Sequence, residues 1–309
     1  MTEHLSNGEK LLEINGVELC VETFGGPANP AILLIDGAAA SMLWWDAELC
    51  ERIAAHDRFV IRYDNRDTGR STSYPPGSPG YSFTDLTEDA LGILDALGIQ
   101  RAHIVCRSMS GGIGLIAGVD HPERVASLTF ISTSTGGDGL PPPSPELAGH
   151  IPADPDPADP TAVVDFVVAS AKAYAGGSPY FDETATRALV ERDVARARNI
   201  ASTLTNHYAM DFDGPVRGGF GDIRAPTLVV HGNHDPVFPL AHGRALRAAI
   251  PGAELLILEG AGHDVPRPLW EVFVPALVRH TFAGRAPADA PGRFRRSATG
   301  PGPGAGRPG

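Results

Sequence analysis

The stretch that most constrains this chain is residues 102–118, A-H-I-V-C-R-S-M-S-G-G-I-G-L-I-A-G. It opens as a short apolar run with β-branched Ile104 and Val105, which favours a strand. After Cys106-Arg107-Ser108 the pattern changes abruptly to a run of small residues that suits only a closely packed helix. A strand that passes into a helix without a connecting loop must turn sharply. The turn falls at Ser108, so that side chain is presented at the end of the strand.

The rest of the chain repeats the alternation of strand and helix. Residues 31–35 (A-I-L-L-I) form a continuous apolar run, as expected of a strand covered on both faces. Residues 125–132 read the same way, and residues 59–63, 227–231 and 254–258 also carry a strand pattern. Residues 12–24 alternate around Asn15-Gly16, a hairpin signal, while residues 1–10 are polar and expected to be loose. Helices are expected over residues 42–56, which carry Trp44 and Trp45, and over 84–98, where Leu86, Ala90, Leu91, Leu94 and Leu97 keep a helical period. Gly98 suits the position just past that helix end. Further helices fit residues 240–250 and 269–281. The pattern predicts an α/β fold with a doubly wound, mostly parallel sheet.

One segment breaks the alternation. Residues 136–160 are rich in Pro, Asp and Gly, and helical patterns follow near 161–175 and 182–208. The expected organisation is a core of residues 1–135 and 220–283, an inserted helical cap over 136–219, and a low-complexity tail over 284–309. The tail's Gly, Pro, Ala and Arg cannot bury enough apolar surface to offset ordering entropy, so disorder is expected there.

Composition narrows the partners. A formal net charge of −12 argues against nucleic-acid or anionic-membrane binding, which needs a basic surface. Three cysteines, Cys20, Cys50 and Cys106, are too few for a disulfide framework and fit a reducing cytoplasm. No apolar run approaches the roughly 20 residues that span a bilayer, and the first residues lack a signal-peptide pattern. A cytoplasmic protein acting on a small molecule is expected.

A serine at a strand end becomes a nucleophile only with a base, an orienting acid and an oxyanion hole. His263 lies in E-G-A-G-H-D-V-P, directly after the last expected strand, and Asp235 in H-G-N-H-D-P-V-F-P, after the strand before it. Loops at the carboxyl ends of parallel strands share one edge of the sheet, so Ser108, Asp235 and His263 can converge there. The Met109 amide would open the first helical turn with its N–H free, and a second donor is expected from D-G-A-A-A at Ala38. Trp44, Trp45, His207 and Tyr208 are candidates to line an apolar substrate pocket. The pair His231 and His234 beside Asp235 has neither helical spacing nor a third cluster, so no metal is expected, and no cofactor.

Taken together, D-G-A-A-A, Y-D-N-R-D-T-G-R-S, the strand–serine–helix turn, H-G-N-H-D-P-V and G-A-G-H resemble the α/β-hydrolase superfamily over about residues 12–283. The loop at 63–71 and the Trp44-Trp45 region look like the actinobacterial branch that includes the anthracycline methylesterases. The resemblance implies a cofactor-independent Ser-His-Asp carboxylic-ester hydrolase, with Asp64, Arg66 and Gly69 bracing the loop beside the site. It also implies a methyl ester of an aromatic polyketide as substrate.

The chain departs from the family at the elbow, where G-x-S-x-G reads C-R-S-M-S. Cys106 and Ser110 are the next smallest choices at positions that chiefly require a small side chain. Ser110 would fall inside the helix, and Cys106 precedes the apex as a buried hydrophobe would. Arg107 must reach solvent or find a carboxylate; the two readings are a contact to an acidic substrate and a surface ion pair. The altered elbow also leaves a rival reading, a homologue without hydrolytic activity that binds a polyketide or catalyses a non-hydrolytic step.

Overall fold

The computed structural model describes residues 6–283, so the tail expected at 284–309 lies outside the described residues. Strands β1 (Ser6–Ile14) and β2 (Val17–Phe24) form the expected hairpin, with Asn15 and Gly16 both at positive φ, 53° and 78°. β1 begins earlier than its polar residues suggest. It is an edge strand, where charged side chains are favoured, and its Glu9 carboxylate is held by Arg70 and Arg196.

The chain continues through β3 (Ala31–Ile35), α1 (Ala47–Ala54), β4 (Phe59–Tyr63), α2 (Phe83–Ala96), β5 (Ala102–Arg107), α3 (Gly111–Asp120) and β6 (Val125–Ile131). Four helices follow before the sheet resumes: α4 (Pro145–His150), α5 (Pro160–Tyr174), α6 (Glu183–Arg196) and α7 (Ile200–Ala209). The fold closes with β7 (Thr227–Gly232), α8 (Ala241–Ala249), β8 (Glu254–Leu258) and α9 (Trp270–Ala283). Among the described residues these strands make one eight-stranded sheet of order β1-β2-β4-β3-β5-β6-β7-β8, parallel from β4 onward.

Successive strand residues point to opposite faces, and the core divides accordingly. Leu33, Ile35, Ile104, Cys106, Leu128 and Phe130 pack on one face with α2, α3 and α8. Ile32, Leu34, Val105, Ile131 and Val230 pack on the other with α1 and α9. Both faces are buried, which is why these strands read as unbroken apolar runs.

Two helices differ from expectation. The segment expected as one helix over 42–56 is a 3-10 turn, Met42–Trp44, followed by α1, because the Asp46 side chain accepts from Glu48 N–H and starts a new helix. The segment expected over 182–208 is split into α6 and α7 at Ala197-Arg198-Asn199. There Arg198 N–H donates to Gly69 C=O at 2.8 Å, and the Asn199 side chain caps α7.

Candidate active site

The loops that follow β3, β5, β7 and β8 lie side by side at the carboxyl edge of the parallel strands. Ser108 occupies the turn after β5 with φ of 52°, a left-handed conformation that L residues rarely adopt. The strain is locked in by neighbours. Thr133 Oγ1 donates to Ser108 C=O at 2.8 Å, and Ser110 Oγ lies 2.9 Å from both Ile35 C=O and Arg107 C=O.

His263 Nε2 stands 2.9 Å from Ser108 Oγ, while its Nδ1 lies 3.0 and 2.9 Å from the two carboxylate oxygens of Asp235. With Nδ1 donating to a carboxylate, Nε2 is the free acceptor that a serine hydroxyl requires. Asp235 is fixed in turn by the Val237 and Phe238 amides, each 2.9 Å from Oδ1, and His231 Nε2 stands 3.6 Å from Oδ2. Burial alone would raise the Asp235 carboxyl, but the charge and hydrogen bond of His263 and the Phe238 amide hold it below the ordinary carboxylate value. It is therefore an anion wherever the imidazole needs one. The rings of Tyr174 and Phe238 stand 6.0 and 5.6 Å from His263, giving its imidazole an aromatic surround.

The segment after β3 crosses directly over Ser108. A Cβ on Gly37 would stand only 3.1 Å from Ser108 Cβ, so a larger residue there would crowd the serine. Ala39 holds φ of 57°, and its amide donates to His207 Nδ1 at 3.0 Å. Between them the Ala38 amide makes no hydrogen bond to a described residue. Met109 sits in the first turn after Ser108, where backbone N–H groups lack helical partners.

The altered elbow has a structural counterpart on the helix. Cys106 is fully buried, and a Cβ added to Gly114 of α3 would come within 2.9 Å of its sulfur. The space that a glycine at 106 would leave is thus supplied by a glycine on the facing helix. Burial pushes the Cys106 thiol up to about 12, which leaves it inert as a nucleophile.

Arg107 turns away from the serine into a buried ion pair rather than a surface one. Its Nε donates to Asp36 Oδ1 at 2.8 Å, Nη2 lies at 2.5 Å, and the guanidinium stacks 5.4 Å over Trp45. Asp36 Oδ1 also accepts from the Gly37 amide at 2.6 Å, so the pair joins the ends of β3 and β5 beside Ser108. The carboxylate was legible in principle, because a buried cation demands one.

The expected pocket residues are placed unequally. Trp45 is 1% exposed and belongs to the core under the sheet. Trp44 donates its indole N–H to Asp193 of α6 at 2.9 Å. His207 is buried with both ring nitrogens bonded to backbone, Nε2 lying 2.8 Å from Arg66 C=O. Burial of Trp45 and His207 revises their reading as ligand contacts, while Trp44 and Arg107 are half-buried and bonded to internal carboxylates. Tyr208 remains 63% exposed. Asp36, Tyr174 and Phe238 join the site without having been singled out in the sequence, and His231, weighed there only as a metal ligand, stands beside Asp235.

A family model described as the alpha/beta hydrolase fold matches residues 30–266. The rhodomycin D methylesterase DauP of Streptomyces sp. (strain C5) is 31% identical over 294 residues, covering 89% of this chain and 98% of that protein. The rhodomycin D methylesterase DnrP of Streptomyces peucetius is 30% identical over 304 residues, with the same 89% and 98% covered. The crystal structure of the enol-lactonase from Burkholderia xenovorans LB400 superposes with a TM-score of 0.70 at 23% identity, covering 88% of this chain and all of that one, a likeness of fold. With the family model spanning the sheet from β3 to the loop after β8, the chain belongs to the α/β-hydrolase fold family.

Proposed function

We propose that this protein hydrolyses a carboxylic ester, specifically a methyl ester on an aromatic polyketide of the anthracycline type. The observation that carries the reading is the continuous relay Ser108 Oγ–His263–Asp235, with each contact at 2.9 to 3.0 Å. In this mechanism Ser108 attacks the ester carbonyl as His263 Nε2 takes its proton. Asp235 holds the tautomer and stabilises the imidazolium. The Met109 and Ala38 amides receive the developing oxyanion, each contributing about 3 kcal/mol to the lowered barrier. His263 then protonates the departing methoxide oxygen, which leaves as methanol, and activates water to release the acid. No redox or metal step enters the scheme.

The choice of substrate rests on two supports. The similar rhodomycin D methylesterases span nearly the whole chain, and the aromatic rings of Tyr174 and Phe238 beside His263 suit a flat ligand. We assign the inserted helices α4–α7 the role of a cap over the strand-end loops. The test is methanol release from an anthracycline methyl ester, with p-nitrophenyl acetate alongside. Wild type should hydrolyse both, and Ser108→Ala should lose on the order of 10⁴-fold or more in kcat. Turnover of the nitrophenyl ester alone would leave the esterase and remove the polyketide substrate. Equal rates in Ser108→Ala would remove the mechanism.

A further inference from the structure

We infer that His207 of α7 is a positioning residue for the oxyanion loop, and that through it the inserted helices set the catalytic rate rather than only the choice of ligand. The inference rests on the ester-hydrolase reading, which it deepens. Its first support is geometric. Ala39 N–H donates to His207 Nδ1 at 3.0 Å, and His207 Nε2 stands 2.8 Å from the Arg66 carbonyl. An amide on one side and a carbonyl on the other leave a single tautomer, with Nδ1 bare and Nε2 carrying hydrogen. The imidazole is thus a rigid strut between the residue 64–71 loop and the residue 36–40 loop.

The second support is where the strut ends. Ala39 is a non-glycine residue at φ of 57°, a strained conformation that persists only where the surroundings impose it. The bond from its own amide is the restraint the structure provides. One residue earlier lies the Ala38 amide, and two earlier Gly37 packs against Ser108. Release of Ala39 would let this segment relax, and the Ala38 N–H would swing from its aim at the oxyanion.

Burial adds a third support, since it keeps His207 below the ordinary histidine value and so in the neutral form that can accept. A similar arrangement holds the base. His263 N–H donates to the Tyr174 carbonyl at the end of α5, at 3.0 Å. Two catalytic loops are therefore each tied by one backbone amide to one inserted helix.

Two substitutions separate positioning from general structural support. Asn offers Oδ1 near the place of Nδ1 and can accept from Ala39, whereas Gln offers a donor near the place of Nε2 and leaves Ala39 unanchored. Each forfeits one of the two bonds and some packing. His207→Gln should lower kcat by ~10–100-fold with KM within ~3-fold, and His207→Asn should retain a kcat at least ~10-fold above the Gln variant. Circular dichroism and thermal melts confirm that both are folded. Equal kcat in the two variants, or an effect confined to KM, overturns the inference. Ser108→Ala is assayed in parallel. If it is as active as wild type, the hydrolase reading fails. If it is inactive while the two His207 variants match each other, only the role of His207 fails.

Discussion

The sheet and the inserted helices are held by different forces. Strands and flanking helices bury two large apolar clusters, one on each face. Between them, α5 and α6 share only a small one, Val164, Val168 and Val190, with Trp44, Val167 and Val194 at its margin. What fastens the insertion is directional. Arg196 bonds Glu9 and Asp64, Asn206 and Thr203 bond Asp67, and His207 bridges Ala39 and Arg66. Apolar burial is non-directional and sets stability, whereas hydrogen bonds to named backbone atoms fix orientation. The core supplies a rigid platform, and the insertion adjusts the loops that stand on it.

The largest test of this contrast is Arg196→Leu. Its side chain is 7% exposed, and its removal leaves the buried Asp64 without its cation, while Glu9 keeps Arg70. Asp64 is already pushed up to about 6 by burial, even with Arg196 beside it. A loss of about 3–5 kcal/mol is expected in denaturant unfolding, together with reduced activity. A loss under about 1 kcal/mol would mean that packing, not the ion pair, holds the insertion in place.

Val190→Ala probes the other side of the comparison. Val190 is 1% exposed in the small cluster, and its truncation should cost about 1–2 kcal/mol because few neighbours surround it. A cost matching that of Arg196→Leu would erase the distinction.

The smallest effect concerns pH. His103 on β5 bonds Ser127 at 2.8 Å and is pushed down to about 4 from 6.5 by burial. Because the folded value lies below the unfolded one, its contribution is complete above pH ~6.5 and drains as the unfolded chain takes up the proton. Between pH 7 and pH 6 wild type should lose about 0.5–1 kcal/mol more than His103→Asn, measured by urea unfolding at both values. Parallel losses in the two proteins would mean that His103 is not neutralised by the sheet.

Much of this contrast follows what was legible in the chain. Runs such as A-I-L-L-I announce strands, and Ser108, Asp235 and His263 each follow an apolar strand run, so their meeting edge could be read directly. The insertion was harder because its breaks come from tertiary bonds. The split between α6 and α7 depends on Arg198 reaching Gly69, which no local periodicity records. The short α4 did carry a signal, Ser144 capping with Pro145 at the first helical position, within a segment whose composition suggested a loop. His207 and Trp44 looked like pocket residues because an aromatic near a site suits a ligand and a strut equally well. Only the partners of their nitrogens tell the two apart.

The central claim is that Ser108, despite its altered elbow, is an activated nucleophile. Incubation with a fluorophosphonate followed by peptide mass spectrometry tests it most directly. A single covalent adduct is expected on Ser108, absent from both Ser108→Ala and His263→Ala. A folded wild-type protein left unlabelled, or an adduct on Ser110 in its place, would contradict it.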